Sequence, residues 1–131
     1  MMVDAGGYPG LADELERAIR VSRQTTVVST LAEAEAVLKI ISEAREKNIL
    51  ALSAGGRVRE FELRYRVTFR LTDPAGANLI ASSEIVLRRD MSFDDTQVLA
   101  KESEEALLFK DMRTDAVRQM LRRLSSAKRL V

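Results

Sequence analysis

The chain has 131 residues, of which 46% are hydrophobic and 31% charged, and its 21 Lys+Arg stand against 20 Asp+Glu. That length fits one domain, spanning 1–131 and able to withdraw roughly two-thirds of its unfolded surface from water, and the near-neutral balance argues against a duplex nucleic-acid binder. With no cysteine and no histidine, the sequence excludes thiol nucleophiles, disulfides, the commonest zinc ligands and the usual general base at neutral pH.

Met1-Met2-Val3-Asp4 opens the chain without the basic and apolar regions of a signal peptide. No later stretch approaches the ~20 apolar residues that cross a bilayer as a helix. Asp4 to Gly10 holds three glycines and a proline and reads as a loop. Leu11, Leu15, Ala18 and Ile19 then recur on one helical face. Asp13 and Glu14 precede Arg17 and Arg20, an order that suits the helix dipole. The β-branched run Thr25-Thr26-Val27-Val28 suggests an extended segment. Residues 31–47 are rich in Ala, Glu, Leu and Lys, and propensity alone makes them helix, with a short strand at Ile49-Leu50-Ala51-Leu52.

Ser53-Ala54-Gly55-Gly56 is a turn whose glycines can take positive φ. After it, Phe61, Leu63, Tyr65, Val67, Phe69 and Leu71 alternate with Glu60, Glu62, Arg64, Arg66, Thr68 and Arg70. A period of two places one set inward and the other outward on a strand. Asp73-Pro74-Ala75-Gly76 has turn chemistry. The returning strand is expected to turn Leu79, Ala81, Ile85 and Leu87 inward, with Asn78, Ser82, Glu84 and Arg88 outward. A long helix closes the chain. Its expected apolar stripe is Leu99, Ala106, Leu107, Phe109, Met112, Ala116, Val117, Met120, Leu121 and Leu124. Ser92 and Asp95 resemble a capping box, and the onset falls between Asp94 and Glu102. One apolar sheet face and two amphipathic helices make a two-layer α+β sandwich.

Catalytic and metal constellations are weak. Asp90, Asp94 and Asp95 lack a glycine-punctuated calcium loop and read as turn and cap residues. The glycine turn lacks the Gly-Lys-Ser/Thr of a phosphate loop. The basic residues remain. Arg57 and Arg59 lie beside the turn, and Arg64, Arg66, Arg70 and Arg88 project from the polar sheet face. The simplest reading is a solvated face with Glu60, Glu62 and Glu84 as cross-strand partners. The functional one is a surface for phosphorylated ligands or a partner protein, because guanidinium heads suit phosphates. On its own, Lys101 reads as an exposed lysine.

The order Arg59-Glu60-Phe61-Glu62-Leu63-Arg64-Tyr65-Arg66-Val67, Val86-Leu87-Arg88-Arg89-Asp90, Val98-Leu99-Ala100-Lys101-Glu102 and residues 112–124 resembles the LptE (RlpB) family of lipopolysaccharide-assembly lipoproteins. Leu11-Ala12-Asp13-Glu14-Leu15 fits as well. The resemblance implies a mixed, mainly antiparallel sheet of about four strands with two helices on one face. It replaces the helix at 31–47 with a strand from Ala36 to Ser53, since tertiary pairing can outvote propensity. It implies a non-enzymatic protein without cofactor. Such a protein sits on the periplasmic side of the outer membrane, lipid-anchored through a cysteine and signal peptide lying upstream of this sequence. Its partners are the β-barrel LptD and the lipid A phosphates of lipopolysaccharide, with no nucleic acid. The family's lysine near the start of the last helix falls on Lys101. Its basic hairpin-tip residue falls on Ala54, so Arg57 and Arg59 are the substitutes nearest to hand. Two other readings stay open. One is a lipid or small-molecule carrier with a pocket at Leu63, Tyr65 and Phe69. The other is an RNA-binding module, disfavoured because its aromatics would face the helix side.

Overall fold

The computed structural model describes residues 1–22, 27–28 and 30–129, with side chains described as far as Ser126. Strand β1 (Met2–Asp4) leads to helix α1 (Pro9–Ser22), then β2 (Val37–Leu52), β3 (Val58–Thr72), β4 (Asn78–Ser92) and helix α2 (Val98–Arg129). One sheet of order β1-β2-β3-β4 results, with β1 parallel to β2 and the other pairs antiparallel. Both helices pack on one face: α2 lies against β3 and β4, and α1 against β1 and α2.

Segment 37–52 is strand throughout, so the helix that propensity suggests does not form. The register explains the outcome. β2 pairs with β3 from Val37↔Thr72 to Leu52↔Val58, and each partnered residue gains sheet hydrogen bonds that a lone helix would have to match. Of the expected extended run 25–28, Thr25 and Thr26 lie outside the described residues; Val28 donates its N–H to the Met1 carbonyl at 2.9 Å.

The two hairpin turns share one device. Ser53 and Asp73 each accept from the N–H four residues on, Arg57 N–H on Ser53 Oγ at 3.2 Å and Ala77 N–H on Asp73 Oδ1 at 2.9 Å. Gly56 and Gly76 close the turns at φ +79° and +98°, where a side chain would be strained. The glycine turn is therefore a hairpin device rather than a phosphate cradle.

Helix α1 starts at Pro9, whose fixed φ and missing N–H suit the first turn. Asp13 and Glu14 consequently fall in the second turn. Glu14 ties the helices instead: Arg113 Nε donates to its Oε2 at 2.8 Å and Thr114 Oγ1 to its Oε1 at 2.6 Å.

The core gathers Leu11 and Leu15 of α1, Leu38 and Ile40 of β2, Leu63 to Leu71 of β3, Ile85, Leu87 and Met91 of β4, and Phe109 to Leu124 of α2. Tyr65 and Phe69 are fully buried, on the side that the alternation assigns them.

Two inward faces, those of β4 and α2, differ from expectation, and that of β2 changes along its length. A register shift after Ile40 leaves Ile41 extra, so inward positions of β2 change from Leu38 and Ile40 to Glu43, Arg45, Lys47 and Ile49, the partners of Val67, Tyr65, Leu63 and Phe61. Two shifts at the start of β4 make Ile80, not Leu79 or Ala81, the partner of Leu71, and Leu79 stays exposed. On α2 the stripe above Phe109 is not Leu99, Ala106 and Leu107, which are exposed, but the half-buried Lys101, Glu104, Glu105 and Leu108. These spacings of three and four residues bring all of them onto one helix face.

Candidate functional site

At the β2–β3 hairpin end a cleft of about 300 Å³ is lined by Ser53, Arg57, Val58, Arg59, Phe93, Asp94 and Asp95. The β3–β4 ladder builds its floor, ending with Phe93 N–H donated to the Arg59 carbonyl at 2.8 Å. The segment leading into α2 builds its acidic wall. Asp94, not Ser92, caps that segment: its carboxylate accepts the Thr96 N–H at 2.9 Å and the Thr96 hydroxyl at 2.8 Å. The Thr96 N–H is the main cause that holds the Asp94 carboxyl below its usual range. The Thr96 hydroxyl helps, desolvation opposes, and the charges of Lys101 and Arg59 add a further pull. The expected Ser92–Asp95 box is absent because Ser92 is still the last residue of β4.

The sequence singled out three cations for this end, and they meet different surroundings. Arg57 Nη1 reaches Asp95 Oδ2 at 3.3 Å, with both side chains more than half exposed. Arg59 is exposed, and its guanidinium makes no hydrogen bond or close ion pair among the described residues, Asp94 acting on it through charge alone. Lys101 is the most enclosed, with its ammonium on Ser92 Oγ at 3.1 Å and Glu104 Oε2 at 2.9 Å. The exposed-lysine reading therefore does not hold for Lys101. Arg57 and Arg59 share the cleft; Lys101 stands outside its lining but acts on Asp94 electrostatically. The acids Asp94, Asp95 and Glu104 balance these three cations; the i,i+3 pair of Lys101 with Glu104 is local, but the approach of Asp94 and Asp95 to the hairpin arginines is announced by no local pattern in the sequence. The Arg57–Asp95 pair is solvent-facing and of the weakly held kind, so an incoming anion can exchange with Asp95 at small cost.

The outer sheet face is an ion-pair ladder. Glu62 lies beneath Arg64 and Arg88, at 2.5 Å and 2.6 Å, and the Arg64 contact is the chief cause of its lowered pKa. Arg66 bridges Glu46 of β2 at 3.0 Å and Glu84 of β4 at 3.7 Å. Of the expected acidic partners Glu62 and Glu84 serve, and Glu46 joins them. Arg70 has no ion pair among the described residues. Next to it in the register stands Lys39, so this corner of the face is basic.

Leu63, Tyr65 and Phe69 show no exposure within the packed core, which removes the pocket that the carrier reading places there. Phe61 and Phe93 meet edge to face at 5.2 Å beneath the cleft, and the Lys47 ammonium lies 4.3 Å from the Phe61 ring centre. The described residues contain no cluster of three or more Asp and Glu suited to a metal ion, and none of their helices is long and apolar enough to cross a membrane.

Comparison with known proteins fits this architecture. Residues 3–124 match the LptE lipopolysaccharide-assembly family. The LPS-assembly lipoprotein LptE of Photorhabdus laumondii is 27% identical over 119 residues, which cover 89% of this chain and 63% of that protein. The chain therefore spans less than two-thirds of that relative's length. The solution structure of lipoprotein B from Nitrosomonas europaea superposes with a TM-score of 0.86 at 45% identity, over 95% of this chain and 81% of that one. The crystal structure of the rare lipoprotein B from Shewanella oneidensis gives 0.81 at 28% identity, over 98% and 96%. With its order of elements, its mixed four-stranded sheet and its match along nearly its whole length, the chain belongs to the LptE family of lipopolysaccharide-assembly proteins.

Proposed function

We propose that this chain is a non-enzymatic lipopolysaccharide-binding and assembly module. Arg57, Arg59 and Lys101 hold lipid A phosphates at the hairpin end, and the outer sheet face with Arg64, Arg66, Arg70 and Arg88 meets the barrel of LptD on the periplasmic side of the outer membrane. The observation that carries the reading is the cleft beside the turn. There the Arg59 guanidinium makes no hydrogen bond or close ion pair among the described residues, and that of Arg57 is held only by a solvent-facing acid. A phosphate offers several acceptor oxygens to such donors and forms stronger, charge-assisted hydrogen bonds than water does. The outer face supports the partner role differently. Its arginines are already neutralised within the sheet, so contact with a polar barrel lumen leaves no unpaired charge to desolvate, apart from Arg70. Lys101→Asp combined with Arg57→Asp tests the phosphate site. Lipopolysaccharide binding is expected to weaken about tenfold or more, a loss of one good charge-assisted contact or more, with an unchanged circular dichroism spectrum. Unaltered affinity in a folded double variant removes these residues from the site.

A further inference from the structure

The cations of the hairpin end stand among exposed apolar side chains. Ile49 is 59% exposed, Leu50 43%, Leu52 57%, Val98 43% and Leu99 81%. Single exposed leucines are ordinary on any protein surface, but a group of them calls for a covering. These five are gathered at one end of the molecule. Ile49 is the cross-strand partner of Phe61 and Leu52 that of Val58. The Arg57–Asp95 contact ties the hairpin to the segment that runs directly into Val98 and Leu99. Cations are interleaved with them: Arg57 and Arg59 flank Val58, and Lys47 lies over Phe61.

This chemistry selects an occupant. A bare sugar phosphate would satisfy the guanidinium groups and leave the apolar side chains in water. A nucleic acid would require stacking faces, and the two rings nearest the cleft, Phe61 and Phe93, are engaged with each other. An anionic amphiphile satisfies both parts at once, because its charged head and apolar chains leave from one molecule. We propose that Ile49, Leu52 and Leu99 form an acyl-chain subsite beside the phosphate site, so that the hairpin end grips one lipid molecule by head and tail together. This rests on the phosphate reading above. Acyl chains laid across these residues also exclude water from Arg57 and Arg59. Electrostatic attraction to phosphate strengthens as the local dielectric falls, so the two halves of the grip reinforce each other.

Three probes separate the possibilities: acylated lipid A dispersed in mild detergent, the same bisphosphorylated disaccharide stripped of its acyl chains, and vesicles of anionic phosphatidylglycerol. The folded chain is expected to bind the acylated probe about tenfold tighter than the stripped one, as burial of a few methylene groups implies. Ile49→Thr with Leu52→Thr keeps strand-favouring side chains at exposed positions. That pair should erase most of the difference while leaving the stripped probe's affinity unchanged. Arg57→Asp with Lys101→Asp should weaken both probes alike. Equal affinity of the unaltered chain for the two probes, or a difference that survives the threonine pair, overturns the acyl subsite and leaves the phosphate site standing. Failure of the charge pair to weaken either probe instead overturns the phosphate reading. Unchanged lipid A binding with lost vesicle adhesion in the threonine pair assigns the residues to a membrane surface, which also overturns the subsite.

Discussion

At the α1 end of the sheet the inward side chains of β2 and β3 are Leu38, Ile40, Val67, Phe69 and Leu71, all buried against Leu11, Leu15, Met112 and Met120. Toward the hairpin end the inward positions of β2 become Glu43, Arg45, Lys47 and Ile49, of which the last three are exposed. The same two strands thus have a dry half and a wet half. In the wet half inward charges find specific partners: Tyr65 donates its hydroxyl to Glu43, Arg45 stacks 5.5 Å from the centre of Phe109, and Lys47 pairs with Glu105 at 2.7 Å. The two halves do different work. The dry half supplies stability. The wet half trades burial for an end whose cations can exchange partners, and its inward charges guard a strand edge that β1, pairing only with Val37 to Lys39, leaves open.

The largest expected effect separates the halves directly. Phe69→Ala empties a fully buried position and should cost about 3–5 kcal/mol, enough to take much of the stability of a domain this size. Ile49→Ala, at an inward but exposed position of the wet half, should change stability by under about 1 kcal/mol. Urea unfolding midpoints of the two variants measure the contrast. Similar losses at the two positions would mean that the hairpin end belongs to the core after all.

How far the sequence made this division legible depends on the range of the interactions. The alternation in β3 is local and is carried into the fold as written, from the buried Leu63, Tyr65, Val67 and Phe69 to the half-exposed arginines between them. The two turns are likewise local, set by Ser53 with Gly56 and by Asp73 with Gly76. β2 is different. Its Ala, Glu and Lys content speaks for helix, and only pairing with β3 makes it strand, so the family resemblance was needed to find it. Even then the resemblance does not reveal the extra residue at Ile41, which changes the face of every residue after it. At the site the sequence marked Arg57, Arg59 and Lys101. Glu104 stands three residues after Lys101 on one helix, a local spacing, whereas Asp95, legible only as a turn or cap residue, meets Arg57 through an approach of its segment to the hairpin that only tertiary structure sets.

A middle-sized effect lies where the halves meet, at Tyr65. Burial first, then the hydrogen bond to Glu43 and that group's negative charge, push the phenol far above its ordinary value. Its native-state pKa is raised, so the neutral form is the one the fold holds. The contribution to stability is complete below pH about 10, where a phenol in the unfolded chain begins to ionise, and declines as pH rises beyond it. In a Tyr8→Phe variant, which leaves Tyr65 as the single tyrosine, phenolate absorbance should stay flat upon alkalinisation. It should then appear together with the loss of circular dichroism. Phenolate forming in a still-folded chain would show that the wet half reaches further into the core than the contacts indicate.

The smallest effect belongs to the wet half alone and has opposite signs for folding and for binding. The Asp94 carboxyl is held below the usual aspartate range of about 4 by the Thr96 N–H above all, and by the hydroxyl, Lys101 and Arg59 after it. Its native pKa is depressed, so its capping contribution is present above the unfolded value and fades as pH falls through the lowered one. Asp94→Asn should reproduce part of that loss at neutral pH. Amide exchange should quicken at Thr96 and Gln97, with the global unfolding midpoint almost unmoved, because the cap is exposed and local. The same substitution removes a negative charge facing Lys101 and Arg59 while Asp95 remains on Arg57. Phosphate binding at the hairpin end should therefore strengthen a few-fold, within the modest range of exposed charge pairs. A variant that frays its first turn and also binds lipid A less well would mean that Asp94 positions the cations, rather than competing with the anion for them.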